Sequence, residues 1–163
     1  MARPKKALVK LHEPDDRGSV SLFTLDVFLI GGPVSEKFAE KNPVVSRTIQ
    51  IRGDQTLADL HDAIFDAFGR WEEHMYEFQF GKGPMDPKAK RYVLPGAFEI
   101  QKKQDNPPIG QVDQTRIDSL GLKVGQPFGY WFDFGDDWWY QINVDGYPAR
   151  ERPCRLVRLP DCD

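Results

Sequence analysis

A chain of 163 residues with 40% hydrophobic and 29% charged side chains matches a single soluble globular domain of ordinary composition. No stretch approaches the ~18 apolar residues of a membrane span, and "MARPKKALVK" lacks the apolar segment that a secretory signal places behind its basic residues. The net charge of -3 excludes a uniformly basic nucleic-acid binder, and two cysteines, Cys154 and Cys162, make no disulfide framework, so a reducing cytoplasm is the expected setting.

The first periodic segment, "SVSLFTLDVFLIGG", reads as a strand with Phe23, Leu25, Val27 and Leu29 on one face, ended by Gly31 and Gly32. A polar connection holding Pro33 and Pro43 leads to "VVSRTIQI". There Val45, Ile49 and Ile51 alternate with Ser46, Thr48 and Gln50, the pattern of a half-buried strand. In "GDQTLADLHDAIFDAFG" the periodicity changes to helical. Thr56 caps the first turn, Asp59 answers it, Leu57, Leu60, Ile64 and Phe68 form one stripe, and Gly69 supplies a left-handed stop. "HMYEFQF" alternates Tyr76, Phe78 and Phe80 against Met75, Glu77 and Gln79, which predicts a third strand.

Residues 81–117 change character. Pro84, Pro87, Pro95, Pro107 and Pro108 interrupt a lysine-rich stretch and leave room for short strands around "RYVL" and "AFEI". So long a connection reads as an insertion over the sheet edge, with a functional flap as the alternative. "DSLGL" predicts a short helical turn. Phe128, Tyr130, Phe132 and Phe134 then alternate, as do Trp138, Tyr140, Ile142 and Val144, with Gly135, Asp136 and Asp137 between them as hairpin-turn residues. The expected architecture is α+β, a β-grasp-like mixed sheet with one main helix packed across one face and a C-terminal β-hairpin. It forms one domain over 1–163, with a core at about 20–145, a loop-rich insertion at 81–117, and tails at 1–12 and 148–163.

Three carboxylates crowd "FDFGDDWWY". Gly135, Asp136 and Asp137 are what a tight turn needs; the functional alternative makes Asp133, Asp136 and Asp137 oxygen ligands for Mg²⁺ or Ca²⁺, or an anionic rim for a basic partner. Their spacing is not that of a calcium loop. The adjacent indoles are more informative, because successive strand residues point to opposite faces. If Phe132, Phe134, Trp138 and Tyr140 face the helix, then Trp131, Asp133, Trp139, Gln141 and Asn143 face away from it, where a single helix gives no cover. Trp131, Asp133, Asp136 and Trp139 are therefore the candidate binding residues. The competing reading folds residues 81–117 or a tail over them.

Of three histidines, His61 lies beside the helical stripe as a hydrogen-bonded, partly buried residue, His74 opens the third strand, and His12 lies in an irregular N-terminal segment. Their spacing with the cysteines is not that of a zinc site, and neither a nucleophile elbow nor a phosphate loop occurs, so no catalytic residue, metal or cofactor is expected. Basic residues cluster in 1–10 and 150–158, while residues 11–147 hold 14 basic against 22 acidic. An acidic body repels a phosphate backbone, so nucleic-acid binding would need the two ends. The expected function is a non-enzymatic module for a protein or peptide partner. The alternatives are a metal-dependent hydrolase or nuclease using the carboxylates with His61 or His74, and a nucleic-acid accessory protein anchored by its basic ends.

"TLADLHDAIFDAFGRWEEHMYEF" followed by "FGYWFDFGDDWWYQINV" resembles the plasmid pRiA4b ORF-3-like family over residues 20 to 145. Thr56, Leu57, Leu60 and His61 match its helix start. Trp71, His74, Glu77 and Phe78 match its approach to an aromatic strand, and Asp133, Phe134, Gly135, Asp136 and Trp138 match its hairpin. Tyr140 and Tyr76 stand where the family usually has histidine, and the chain ends soon after Cys154 and Cys162, where relatives tend to continue. The resemblance implies a β-grasp-like α+β domain, often linked to mobile elements and without an established activity.

Overall fold

The computed structural model describes residues 21–145; both basic ends, His12, Cys154 and Cys162 lie outside the described residues. In chain order the elements are β1 (Leu22–Gly31), α1 (Glu36–Lys41), β2 (Ser46–Arg52), α2 (Leu57–Phe68), β3 (Tyr76–Phe80), β4 (Lys90–Val93), α3 (Pro95–Gln101), β5 (Gly110–Gln111), a 3₁₀ turn (Ile117–Leu120), β6 (Pro127–Phe132) and β7 (Trp138–Asp145). The seven strands form one mixed sheet in the order β2-β1-β7-β6-β3-β4-β5. Its pairs are antiparallel except β4–β5, which is parallel. The class is mixed α+β.

α2 forms where the sequence places it. The Thr56 hydroxyl accepts from the Asp59 N–H, the Asp59 carboxylate accepts from the Thr56 N–H, and Gly69 ends the helix at φ 65°. Its buried side, Leu57, Leu60, Ile64, Phe65 and Phe68, lies on one face of the sheet. Opposing it are Leu25 and Val27 of β1, Ile49 and Ile51 of β2, Phe128, Tyr130 and Phe132 of β6, and Tyr140 and Ile142 of β7. Burying that many large apolar side chains is the main favourable term in the fold.

Three expectations change. The polar connection after β1 contains α1, capped by the Ser35 hydroxyl on the Phe38 N–H and without a buried residue. "AFEI" is not a strand but part of α3. Pro95 sits in the first turn of that helix, where its fixed φ and missing N–H are tolerated, and Ala97 is its one buried residue. Phe134 does not face the helix, because β6 ends at Phe132 and Asp133 adopts φ 55°, which resets the alternation.

Residues 81–117 are tied to both the sheet and the helix. Pro84 lies against the backbone of Gly129, where an added Cβ would stand 2.9 Å from the Pro84 Cα. The Met85 N–H donates to Gln79 Oε1 at 3.2 Å. Farther on, the N–H groups of Leu57 and Ala58, which a helix cannot satisfy internally, donate to the carbonyls of Thr115 and Val112. The start of α2 and the end of this segment are therefore one hydrogen-bonded unit.

Truncating the helix stripe tests the packing. Ile64→Ala is expected to lower unfolding stability by about 2–5 kcal/mol, whereas Lys37→Ala on exposed α1 shifts it by less than about 0.5 kcal/mol. Urea denaturation followed by circular dichroism distinguishes the two.

Candidate functional site

The sheet face away from α2 carries the candidate residues. On β7, Trp138 is 9% exposed on the helix side, while Trp139 projects to the other face and is half-buried. Trp131 lies directly opposite Trp139 in the β6–β7 register, and the two indoles stack at 4.9 Å with 6° between their planes. Trp131 also meets Phe134 at 4.2 Å, and its Nε1 donates to Asp137 Oδ1 at 2.9 Å. This half-buried stack borders an open depression of about 550 Å³, closed on its far side by Met85–Pro87 and Gln104–Asn106.

The floor of that depression is polar and fully paired. Glu77, opposite Trp131 on β3, is 1% exposed. Its Oε2 accepts from Arg91 Nη2 at 2.7 Å and Nε at 3.0 Å, and its Oε1 accepts from Gln79 Nε2 at 2.7 Å. Arg91 also donates to the Asn106 carbonyl at 2.8 Å and to Gln101 Oε1 at 2.5 Å. A buried carboxylate tolerates removal from water only with such pairing. The same bonds fix the position of residues 101–106 over the sheet.

Turn geometry absorbs two of the three loop carboxylates. Asp133 and Asp137 have φ 55° and 54°, a region that Asp tolerates through local hydrogen bonds. Asp133 Oδ1 accepts from the N–H groups of Gly135 and Asp136, and the Asp137 N–H donates to the Asp133 carbonyl at 2.7 Å. His74 Nε2 stands 3.5 Å from Asp133 Oδ2. Asp136 points outward at the exposed tip. Among the described residues, no three His, Cys, Asp or Glu side chains gather around a point that could hold a metal ion.

His61 lies between α2 and the strands, where its ring and that of His74 both approach Phe132, at 6.1 and 5.7 Å. Its Nδ1 is 2.6 Å from the Tyr130 hydroxyl, and its ring stacks on Tyr76 at 3.9 Å. Burial pulls the imidazole pKa down to about 4, so near neutral pH the ring is uncharged and shares one hydrogen bond with the Tyr130 hydroxyl through Nδ1, its direction set by the tautomer. Beside it, Arg70 donates to the Tyr140 hydroxyl at 3.1 Å and to Glu72 Oε1 at 3.1 Å, and its guanidinium lies 4.1 Å from the Trp138 ring.

The family model for the plasmid pRiA4b ORF-3-like protein matches residues 36–162. The chain belongs to this family. No curated protein matches it. A solved structure of similar fold is the protein of unknown function MM3350 from Methanosarcina mazei Go1, with a TM-score of 0.57 and 18% identity. The likeness covers 82% of this chain and 66% of that one, so the chain spans slightly less than two thirds of that protein's length.

The motif residues of this pRiA4b ORF-3-like chain fall into three places. Thr56, Leu60 and His61 build the start and inner face of α2. Trp138 packs beneath Arg70, and Phe134, Gly135 and Asp133 shape the β6–β7 loop. His74 reaches Asp133 from the 70–75 segment, which also carries Trp71, 83% exposed. Tyr76 and Tyr140 occupy the helix–sheet interior: Tyr76 stacks on His61, and Tyr140 accepts from Arg70. Sequence reasoning misses Arg91 and the role of Glu77. Outward parity on β3 marks Glu77 as solvent-facing, and only the β3–β4 register brings Arg91 beside it.

Removing one partner of the floor is costly. Arg91→Ala is expected to lower stability by about 3–5 kcal/mol by leaving Glu77 buried and unpaired, and Arg91→Met with Glu77→Leu to recover most of it; urea midpoints measure both. The His61 shift gives a pH dependence. Its folded pKa of about 4 lies below the ordinary 6.5, so the unfolded chain takes up the proton first as pH falls. The stability held by neutral His61 is complete above 6.5 and is lost on descending towards 4. Stability measured across that window should fall more steeply in the natural chain than in His61→Gln.

Proposed function

We propose that this pRiA4b ORF-3-like chain is a non-enzymatic binding module that receives a protein or peptide on the sheet face away from α2. One observation carries the reading: two half-buried, stacked indoles sit at the edge of a depression whose polar floor is already paired. An exposed indole forgoes burial of roughly 2–3 kcal/mol, so a partner that covers the stack gains apolar contact without unpairing a buried charge. Trp131 and Trp139 supply the contact area, Asp133 holds the loop, and Asp136 offers a charge at the rim. The partners in Asp133's hydrogen bonds support a turn-forming role for that carboxylate over a reactive one.

The same reading places the chain in the cytoplasm, as a single domain serving a mobile-element-associated family. A β-grasp-like description is supported by the order β1, β2, α2, β3 and by the helix crossing one sheet face. No helix among the described residues is long and apolar enough to cross a membrane.

Trp139→Ser tests the proposal. Peptides selected from a random displayed library against the natural chain should lose binding to the variant, while its urea midpoint stays within about 1 kcal/mol of the natural chain. A large loss of stability would instead make Trp139 a core residue and end the proposal.

A further inference from the structure

Charge at one end of the sheet narrows the kind of partner. The 70–75 segment and the 133–137 loop are neighbours, joined by the Asp133 N–H donating to the Met75 carbonyl at 2.9 Å and by the His74–Asp133 contact. Together they carry Glu72, Glu73, Asp133, Asp136 and Asp137. Arg70 is the one permanent cation in these two segments, and it is committed to Glu72, Tyr140 and the Trp138 ring. Glu73 and Asp136 are exposed, and no described side chain pairs with either. The far rim differs, because Lys82 and Lys88 flank Asp86 there and offset its charge. A negative field is thus concentrated at the β6–β7 loop end.

Exposed apolar surface accompanies this charge. In the 70–75 segment Trp71 is 83% exposed and Met75 42%, and Met75 is hydrogen-bonded to Asp133, which follows the half-buried Trp131 by two residues. Acidic groups beside open aromatic faces suit a guanidinium, which stacks on a ring while donating to carboxylates. The chain contains such an arrangement internally: Arg70 lies over Trp138 and pairs with Glu72.

Building on the docking face proposed above, we infer that the partner segment is a basic, arginine-bearing peptide. Its guanidinium groups pair with Asp136 and Glu73 and pack on the open indoles, while its apolar side chains lie on the Trp131–Trp139 stack. Charge complementarity of this kind steers encounter and selects the partner more than it adds affinity.

Three synthetic peptides, identical but for Arg, Gln or Glu at alternate positions between leucines, provide the probe, with binding to the full chain followed by calorimetry. The Arg peptide should bind roughly five- to tenfold more tightly than the Gln peptide, the Glu peptide most weakly, and added salt should erase the preference. Asp136→Asn with Glu73→Gln should remove the Arg preference without changing the urea midpoint, and Trp71→Ala should weaken the Arg peptide. Equal binding of Arg and Gln peptides, both lost in Trp139→Ser, would overturn the basic partner and leave the docking face standing. Binding by none of the peptides, or binding indifferent to Trp139→Ser, would overturn both. Should Arg152→Glu, Arg155→Glu and Arg158→Glu together tighten the Arg peptide, the occupant is the chain's own C-terminal segment, and a separate partner is overturned.

Discussion

Strand alternation is the constraint from which the rest follows. β7 sends Trp138, Tyr140, Ile142 and Val144 to one side of the sheet and Trp139, Gln141 and Asn143 to the other. α2 is the amphipathic element large enough to cover a face, and it covers the first. The second must be covered by loops, by pairing or by another molecule. The first two operate locally, with Pro84 on Gly129 and Glu77 and Arg91 neutralising each other, while the indoles shield each other without being enclosed. What distinguishes the two faces is therefore not hydrophobicity alone but the permanence of the cover.

The aspartates of the β6–β7 loop show how composition misleads about chemistry. A cluster of carboxylates near histidine suggests a metal or an acid–base site, yet Asp133 spends one oxygen on two backbone N–H groups and Asp137 accepts from an indole. Both hold positive φ, which makes Asp a conformational choice as much as an electrostatic one. Asp136 lacks such duties and keeps its charge in solvent. Three similar residues within five positions thus do different work.

Legibility in the sequence follows the range of the interactions. β1, β2, α2, β3, β6 and β7 are visible because their periodicity and caps are local, and α2 even shows its capping pair in Thr56 and Asp59. α3 is misread because four residues, "AFEI", fit a strand and a helix equally, although Pro95 in front of them favours a helix start. Phe134 is misassigned because the left-handed Asp133 interrupts an alternation that otherwise runs on. The Glu77–Arg91 pair spans 14 positions and exists only through the β3–β4 register, so nothing near either residue announces it. The stacked indoles were half legible: parity gives their side, but only the register gives their contact.

Gly129 extends this reasoning to the shape of the depression. It lies in the row of Gln141, Gln79 and Arg91, among residues with long side chains, and leaves there a bare patch of main chain on which Pro84 rests. A single methyl group at that position would act as a wedge, lifting the 81–89 loop by its proline and pulling Met85 from Gln79. The width of the cleft is thus set by an absence of atoms beneath its wall, so its gauge could be altered from below with no change to any residue a visitor would touch.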